Sequence, residues 1–381
     1  MQNHKILAFS KNSSGGIGTF LKQVLQLNNN QINLKVSLYN GLRLKKRVTN
    51  SRPYLGDNTS EYFTAGKTLA LLKDIYSSIK TILKERPSLI LTCDQYSSFV
   101  LLLIKSILFH NLKIITLINT NMKEVLENKQ GFLYRKILTL SFKLLYDRAD
   151  AIIFVSNQLA LKLTKYFNID KKKSIVIHNG VPTPKKESNN TRNLINKKKF
   201  VITSLGRLDK QKDFETIIKA FAMVIKMASK IKLNIIGDGR LKIKLKKLVI
   251  NLKLKNSVTF FGWKNDINYY LKKSDLFVFS SSYEGFGRVI IEAMSHGLPI
   301  ISTNTPYGPS EILDKGKYGI LVPMRDEKKM SEAILELIKN PSLRERYSKL
   351  ALDRVRYFDL KKTLKQYERV FLKTIRNEKN N

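Results

Sequence analysis

Short apolar runs alternate with longer stretches of helical period along almost the whole chain. In the first half, Lys5–Ser10, Asn33–Tyr39, Leu89–Thr92, Lys113–Ile118, Ala151–Val155 and Ser174–Ile177 have the length and β-branched content of strands. Ile17–Leu27, Thr68–Lys84, Phe132–Tyr146 and Gln158–Tyr166 repeat their apolar residues at helical spacing. Near-continuous apolar strands separated by helices predict an α/β fold, a parallel sheet covered on both faces. The pattern restarts at Phe200–Leu205 and continues through Leu233–Ile236, Val258–Phe261, Leu276–Phe279 and Ile300–Ser302. Helices are expected at Glu327–Lys339, Ser342–Tyr357 and Leu360–Ile375. Between the halves, 183–199 is polar and lysine-rich, the composition of a linker. Two domains are therefore expected, 1–182 and 200–357, followed by a final helical segment, 358–381. Residues 41–66 show no clear period and carry Arg43, Lys45, Lys46, Arg47 and Arg52, which predicts a long loop.

One stretch, 280–303, concentrates the candidate chemistry. The strand Leu276–Phe279 runs into Glu284-Gly285-Phe286-Gly287, where glycines permit a tight turn and close approach to the backbone. A helical pattern starts at Arg288, with Val289, Ala293 and His296 or Gly297 on one face, and Gly297-Leu298-Pro299 stops it. Strand, glycine loop, helix and strand place the loop at a strand's carboxyl end, where open α/β sheets bind ligands. Backbone N–H groups at Phe286, Gly287, Arg288 and Val289 favour a phosphate. Glu284 and Glu292, with seven residues between them, could accept hydroxyl groups of a sugar and a ribose. Read as isolated residues, they are equally two ordinary surface glutamates.

This string resembles the E-x7-E segment of retaining GT-B-fold glycosyltransferases, the glycogen-synthase-like group called glycosyltransferase family four. Other pieces follow in the family's order. Gly206-Arg207-Leu208-Asp209-Lys210-Gln211-Lys212 is similar to its G-R-L-x-x-Q-K segment, and the turn at Gly237 to its G-x-G element. The residues past Gly262, including Trp263 and Lys264, stand where the family lines its nucleobase. The glycine loop at Gly16 stands where it faces the donor diphosphate. The segment Gly308-Pro309-Ser310-Glu311-Ile312 resembles a subgroup that builds surface polysaccharides and lipid-linked oligosaccharides.

The resemblance implies two Rossmann-like domains facing each other across a cleft, with the last helix crossing back to the first. It further implies a nucleoside diphosphate sugar, with UDP expected, as donor and a lipid-linked glycan as acceptor. Arg207 and Lys212 would clamp the diphosphate, Glu284 would hold the donor sugar, and Glu292 the ribose. Gly206, Gly237, Lys264 and Gly285 through Val289 would line the donor site. No cofactor and no metal is expected. The family often has a histidine ending its fourth strand, whereas Asn119 stands here, able to bond a sugar hydroxyl but not to titrate.

Composition then narrows the setting. A formal charge of +39 favours polyanions, an anionic membrane surface or nucleic acid. No nucleic-acid module with interleaved stacking aromatics is visible, so specific nucleic-acid binding is not expected. A nucleotide-sugar epimerase on the same scaffold remains the enzymatic alternative. Cys93 is the one cysteine, compatible with a reducing compartment. The first strand begins within a few residues of Met1, and the longest apolar run, Phe99–Phe109, is interrupted by Lys105; neither a secretory leader nor a membrane span is expected. The chain is thus expected in the cytoplasm, peripheral at the inner face of the membrane.

Overall fold

The computed structural model describes residues 4–11, 15–29, 31–38, 65–122, 124, 132–184 and 199–376. The loop expected at 41–66 and the linker expected at 183–199 lie mostly outside these. Two compact units divide the chain: residues 1–179 with 362–381, and residues 180–361.

The first unit is a six-stranded parallel sheet of β1 (His4–Ser10), β2 (Ile32–Leu38), β3 (Leu89–Thr92), β4 (Ile114–Ile118), β5 (Ala151–Phe154) and β6 (Ser174–Val176), in the order β2-β1-β3-β4-β5-β6. Every residue of β3, β4 and β5 is buried, which explains why these strands carry no polar alternation. The apolar run after β3 is a helix, Gln95–Ile107, started by Asp94, whose side chain accepts the Ser97 N–H at 2.9 Å in a capping box. Helix Phe132–Tyr146 lies beside it, Phe99 meeting Phe142 edge-on at 6.0 Å between ring centroids. The final helix, Leu360–Ile375, also belongs here: Tyr367 packs on Phe20 at 5.3 Å, and Glu368 accepts a hydrogen bond from Asn29 at 2.8 Å.

The second unit repeats the plan with β7 (Phe200–Leu205), β8 (Ile231–Ile236), β9 (Val258–Gly262), β10 (Leu276–Phe279), β11 (Ile300–Thr303) and β12 (Ile320–Val322). All pairings are parallel and the order is β12-β11-β10-β7-β8-β9. Its core joins Ile217, Phe221 and Val224 of helix Phe214–Met227 to Leu233, Ile235, Val278 and Ile301 of the sheet. The helix after β10 spans Arg288–Met294 and buries Ile290, Ile291, Ala293 and Met294, while Val289 stays half-buried. Its buried face is therefore broader than the Val289–Ala293–His296 stripe that spacing suggests, because strands and helices enclose it. The two places where the chain crosses between units run side by side. Val181 donates to the Phe358 carbonyl and accepts from the Leu360 N–H, each at 3.0 Å, and Thr183 bonds Asp359 at 2.7 Å.

One buried ion pair ties the first unit's strand starts to a helix. Lys105 is 8% exposed, and its Nζ donates to Asp150 Oδ2 at 2.6 Å. The same carboxylate oxygen accepts the Ile114 N–H at 2.7 Å, and the Asp150 N–H donates to the Ile114 carbonyl at 2.9 Å. Burial holds the Lys105 ammonium below the usual lysine range, and Asp150 opposes that shift. Removing the carboxylate strands a buried ammonium, a change that costs more than the pair itself is worth. Asp150→Ala should lower the stability of the first unit by about 3 kcal/mol in urea unfolding. Asp147→Ala, at an exposed pair with Lys173, should change it by less than about 0.5 kcal/mol.

Candidate active site

In the second unit the chain leaves β7 toward β8 and β9 on one side of the sheet, whereas β10, β11 and β12 build out the other side. Neighbouring β7 and β10 therefore flank the point where strand order reverses, and the loops at their carboxyl ends diverge to leave a ligand-sized crevice. Those loops are 206–213 and 280–287.

Hydrogen bonds join the two loops along their length. The Ser282 N–H donates to the Gln211 carbonyl at 2.7 Å, and Gln211 Nε2 donates to the Tyr283 carbonyl at 2.9 Å. Ser280 Oγ lies 2.8 Å from the Lys212 carbonyl and 2.9 Å from that of Asp213. Within the first loop, Asp209 accepts the Lys212 N–H at 3.2 Å and also the Arg207 Nε–H, so one carboxylate fixes the turn and orients the guanidinium. Arg207 remains exposed, its charge presented to solvent. Asp213 ends the turn in the left-handed region, φ 44°, and burial pushes its carboxyl up against the opposing bond from Thr216.

Lys212 and Glu284 form an ion pair between the loops. Glu284 is 7% exposed, and its Oε1 accepts both the Lys212 ammonium and, at 2.6 Å, the Ser281 hydroxyl. Among the described residues nothing donates to Oε2. The Lys212 ammonium also stands 5.1 Å from the centre of the Phe279 ring. A buried carboxylate with one occupied oxygen beside a cation that has three donors suits a ligand carrying both hydroxyls and negative charge.

Glycines let the backbones approach. A Cβ on Gly237 (φ 142°) would lie 1.9 Å from the Gly206 carbonyl oxygen, and one on Gly308 would lie 2.0 Å from that of Phe286. Gly287, at φ 93°, turns the chain into helix Arg288–Met294, where Arg288 Nε donates to Glu292 Oε1 at 2.8 Å. Glu292 therefore faces the first turn of its helix instead of open solvent.

Comparison with known proteins fits this geometry. Residues 185–354 match the description "Glycosyl transferases group 1", and residues 48–185 match "Glycosyltransferase Family 4". An uncharacterised glycosyltransferase of Methanocaldococcus jannaschii is 33% identical over 345 residues, covering 80% of this chain and 84% of that protein. The chain is a group 1 glycosyltransferase. The N-acetylgalactosamine-N,N'-diacetylbacillosaminyl-diphospho-undecaprenol 4-alpha-N-acetylgalactosaminyltransferase of Campylobacter jejuni is 29% identical over 234 residues, 61% of this chain and 62% of that one. HepE of Anabaena, solved with UDP-glucose, superposes with a TM-score of 0.73 at 16% identity, over 97% of this chain and 99% of that one, a likeness of fold. The fold is GT-B, two parallel six-stranded sheets with their helices.

Of the residues expected at the glycosyltransferase's site, Gly206, Arg207, Lys212, Gly237, Glu284, Gly285, Phe286, Gly287, Arg288, Val289 and Glu292 gather at the carboxyl edge of the second sheet. Lys264 follows β9, two strands from β7, with its ammonium 6.0 Å from the Tyr270 ring centre. Gly16 and Asn119 belong to the first unit. Gly16 is exposed at the start of helix Gly15–Val24, and Asn119 donates to the Cys93 carbonyl at 3.3 Å beside β4. The sequence reading gives Ser281, Gln211 and Asp209 no role of their own, although they hold the ion pair and the guanidinium in place. A polar residue three positions before Glu284 or Lys212 is the local cue that finds Ser281 and Asp209. Among the described residues no three His, Cys, Asp or Glu side chains gather as a metal site.

Gly237→Ala should destabilise the second unit by at least about 2 kcal/mol in urea unfolding, since its Cβ collides with a backbone carbonyl. Gly262→Ala, at φ 70° with open space around the new Cβ, should cost about 1 kcal/mol.

Proposed function

We propose that this glycosyltransferase takes a sugar from a nucleoside diphosphate sugar, UDP being the expected nucleotide, and transfers it with retention of anomeric configuration. The acceptor proposed is a lipid-linked or polysaccharide glycan, in the building of a bacterial surface polymer at the inner face of the cytoplasmic membrane. The observation that carries the donor reading is the buried Lys212–Glu284 pair with Glu284 Oε2 left to accept a hydroxyl. The UDP-glucose held by HepE and the diphospho-undecaprenol in the name of the Campylobacter relative support the donor and acceptor classes.

In this reading the bond between the anomeric carbon and the β-phosphate oxygen breaks as the acceptor oxygen bonds that carbon from the same face. The acceptor hydroxyl's proton passes to the departing phosphate oxygen. Negative charge grows on the leaving diphosphate, so fixed cations stabilise the transition state more than the bound donor. Arg207 supplies a planar fork of donors and Lys212 a compact charge, so the cationic role needs no bound metal. Glu284 Oε2 accepts a sugar hydroxyl and orients the anomeric carbon. Glu292, held by Arg288, accepts from the ribose.

Arg207→Ala should lower turnover on the order of 10²-fold with an unchanged unfolding midpoint, because the side chain is exposed. Lys212→Ala should lose activity comparably and also stability, since it leaves Glu284 buried without its cation. Turnover near that of the wild type in either variant removes the diphosphate assignment.

Calorimetric titration with free UDP separates the carboxylates. Glu284→Gln should bind UDP almost normally while transfer is suppressed, whereas Glu292→Gln should chiefly weaken UDP binding. The opposite pattern would reverse their roles.

A further inference from the structure

Helix Phe132–Tyr146 has two apolar faces, and only one of them is covered. Leu138, Phe142, Leu145 and Tyr146 are buried in the first unit. Opposite them, Phe132 is 73% exposed, Ile137 55%, Leu140 55% and Leu144 63%. At about 100° per residue these four side chains, with Lys136 and Lys143, fall in one continuous arc of about 140°. Within that arc the residues sort further. Ile137, Leu140 and Leu144 occupy one edge, and Lys136 and Lys143, both exposed, the other beside Phe132. The helix has no acidic residue, and neither lysine has an acidic partner among the described residues. The neighbouring helix, Gln95–Ile107, has none either and ends in exposed Ile107 and Leu108, 63% and 54%. Lys105 does not contribute, because it is buried against Asp150.

An exposed leucine by itself means nothing on a protein surface. An apolar strip of this kind on a helix already anchored by its other side is different, since water meets it with no packing in return. Lysine stems beside the strip carry their charges at its margin. This is the division required at a lipid interface, where apolar side chains enter the acyl boundary and the ammonium groups meet phosphates. We propose that the outer face of helix Phe132–Tyr146, through Phe132, Ile137, Leu140 and Leu144 with Lys136 and Lys143, docks on an anionic lipid bilayer. The charge of +39 fits that partner and disfavours close approach of a second copy of the same basic face. The inference rests on the proposed lipid-linked acceptor and names the surface that would bring the enzyme to it. Among the described residues no helix is long and apolar enough to cross a membrane, so attachment through this face is peripheral.

The test is sedimentation of the full chain with vesicles of phosphatidylcholine alone or with one-third phosphatidylglycerol, over a salt series. The wild type should bind the anionic vesicles at low salt and be released as salt screens the contact. The double variant Leu140→Glu/Leu144→Glu, at positions already exposed, should partition at least 10-fold more weakly. Lys136→Glu/Lys143→Glu should do likewise and flatten the salt dependence. Leu161→Glu, at a leucine 77% exposed on a different helix, should bind as the wild type does. Equal binding by the wild type and the leucine double variant would overturn the proposal, as would a wild-type dimer in sedimentation velocity that this variant abolishes. Donor hydrolysis without vesicles reads the functional assignment separately. Its absence in the wild type would defeat the nucleotide-sugar reading, whereas intact hydrolysis with weak vesicle binding in the leucine variant supports the docking face.

Discussion

The second unit depends on the contact between the loops that leave β7 and β10. Where strand order reverses, the loops that leave neighbouring parallel strands diverge, which opens a crevice but leaves its walls without mutual support. Here the walls are joined by the Ser282 N–H and by the side chains of Gln211 and Ser280, all donating to main-chain carbonyls, and the Lys212–Glu284 pair closes the set. Because Glu284 is nearly buried, neither charge can be left alone without a large desolvation penalty. A donor with hydroxyls and a diphosphate can engage the same two groups. In the proposed function, stability and chemistry thus draw on one interaction, the ion pair that holds the carboxylate in place.

The glycines around this crevice belong to the same constraint. Gly237 admits the Gly206 carbonyl, and Gly308 admits that of Phe286, at separations where any side chain would collide. Each brings a neighbouring loop close to the crevice wall. The first unit has a comparable arrangement where its own strand order reverses, between β1 and β3. There Asp94 accepts the Ser10 hydroxyl at 2.8 Å and the Lys11 N–H at 2.6 Å while capping helix Gln95–Ile107. A short acidic side chain at a helix start can hold a neighbouring strand's exit loop because both begin at the same sheet edge.

The large positive charge has several local outcomes. Lys105 is buried and paired, Lys212 is enlisted by a carboxylate, and Arg207 is turned outward by Asp209. Lys136 and Lys143 flank an apolar strip. Net charge accounts for none of these differences, since the dielectric and the nearest carboxylate decide what each cation does.

Eleven of the twelve strands and most helices were legible from apolar runs and their spacing, because strands buried on both faces must be apolar throughout. The order of chemical motifs was also local: a glycine loop, a basic strand exit, two glutamates at fixed spacing. Those features determined that the chain is α/β, repeats one plan, and carries groups suited to a phosphorylated sugar. Which groups meet was not local. Lys212 and Glu284 lie 72 residues apart and touch only because β7 and β10 are neighbours in the sheet. The interleaving of apolar and basic residues in helix Phe132–Tyr146 is visible in the sequence, but its leucines read alike, and only packing shows that Leu138 turns inward while Leu140 and Leu144 do not. Sequence carries the period of an element. Strand order and burial, set by long-range packing, decide which charges pair and which apolar side chains remain in water.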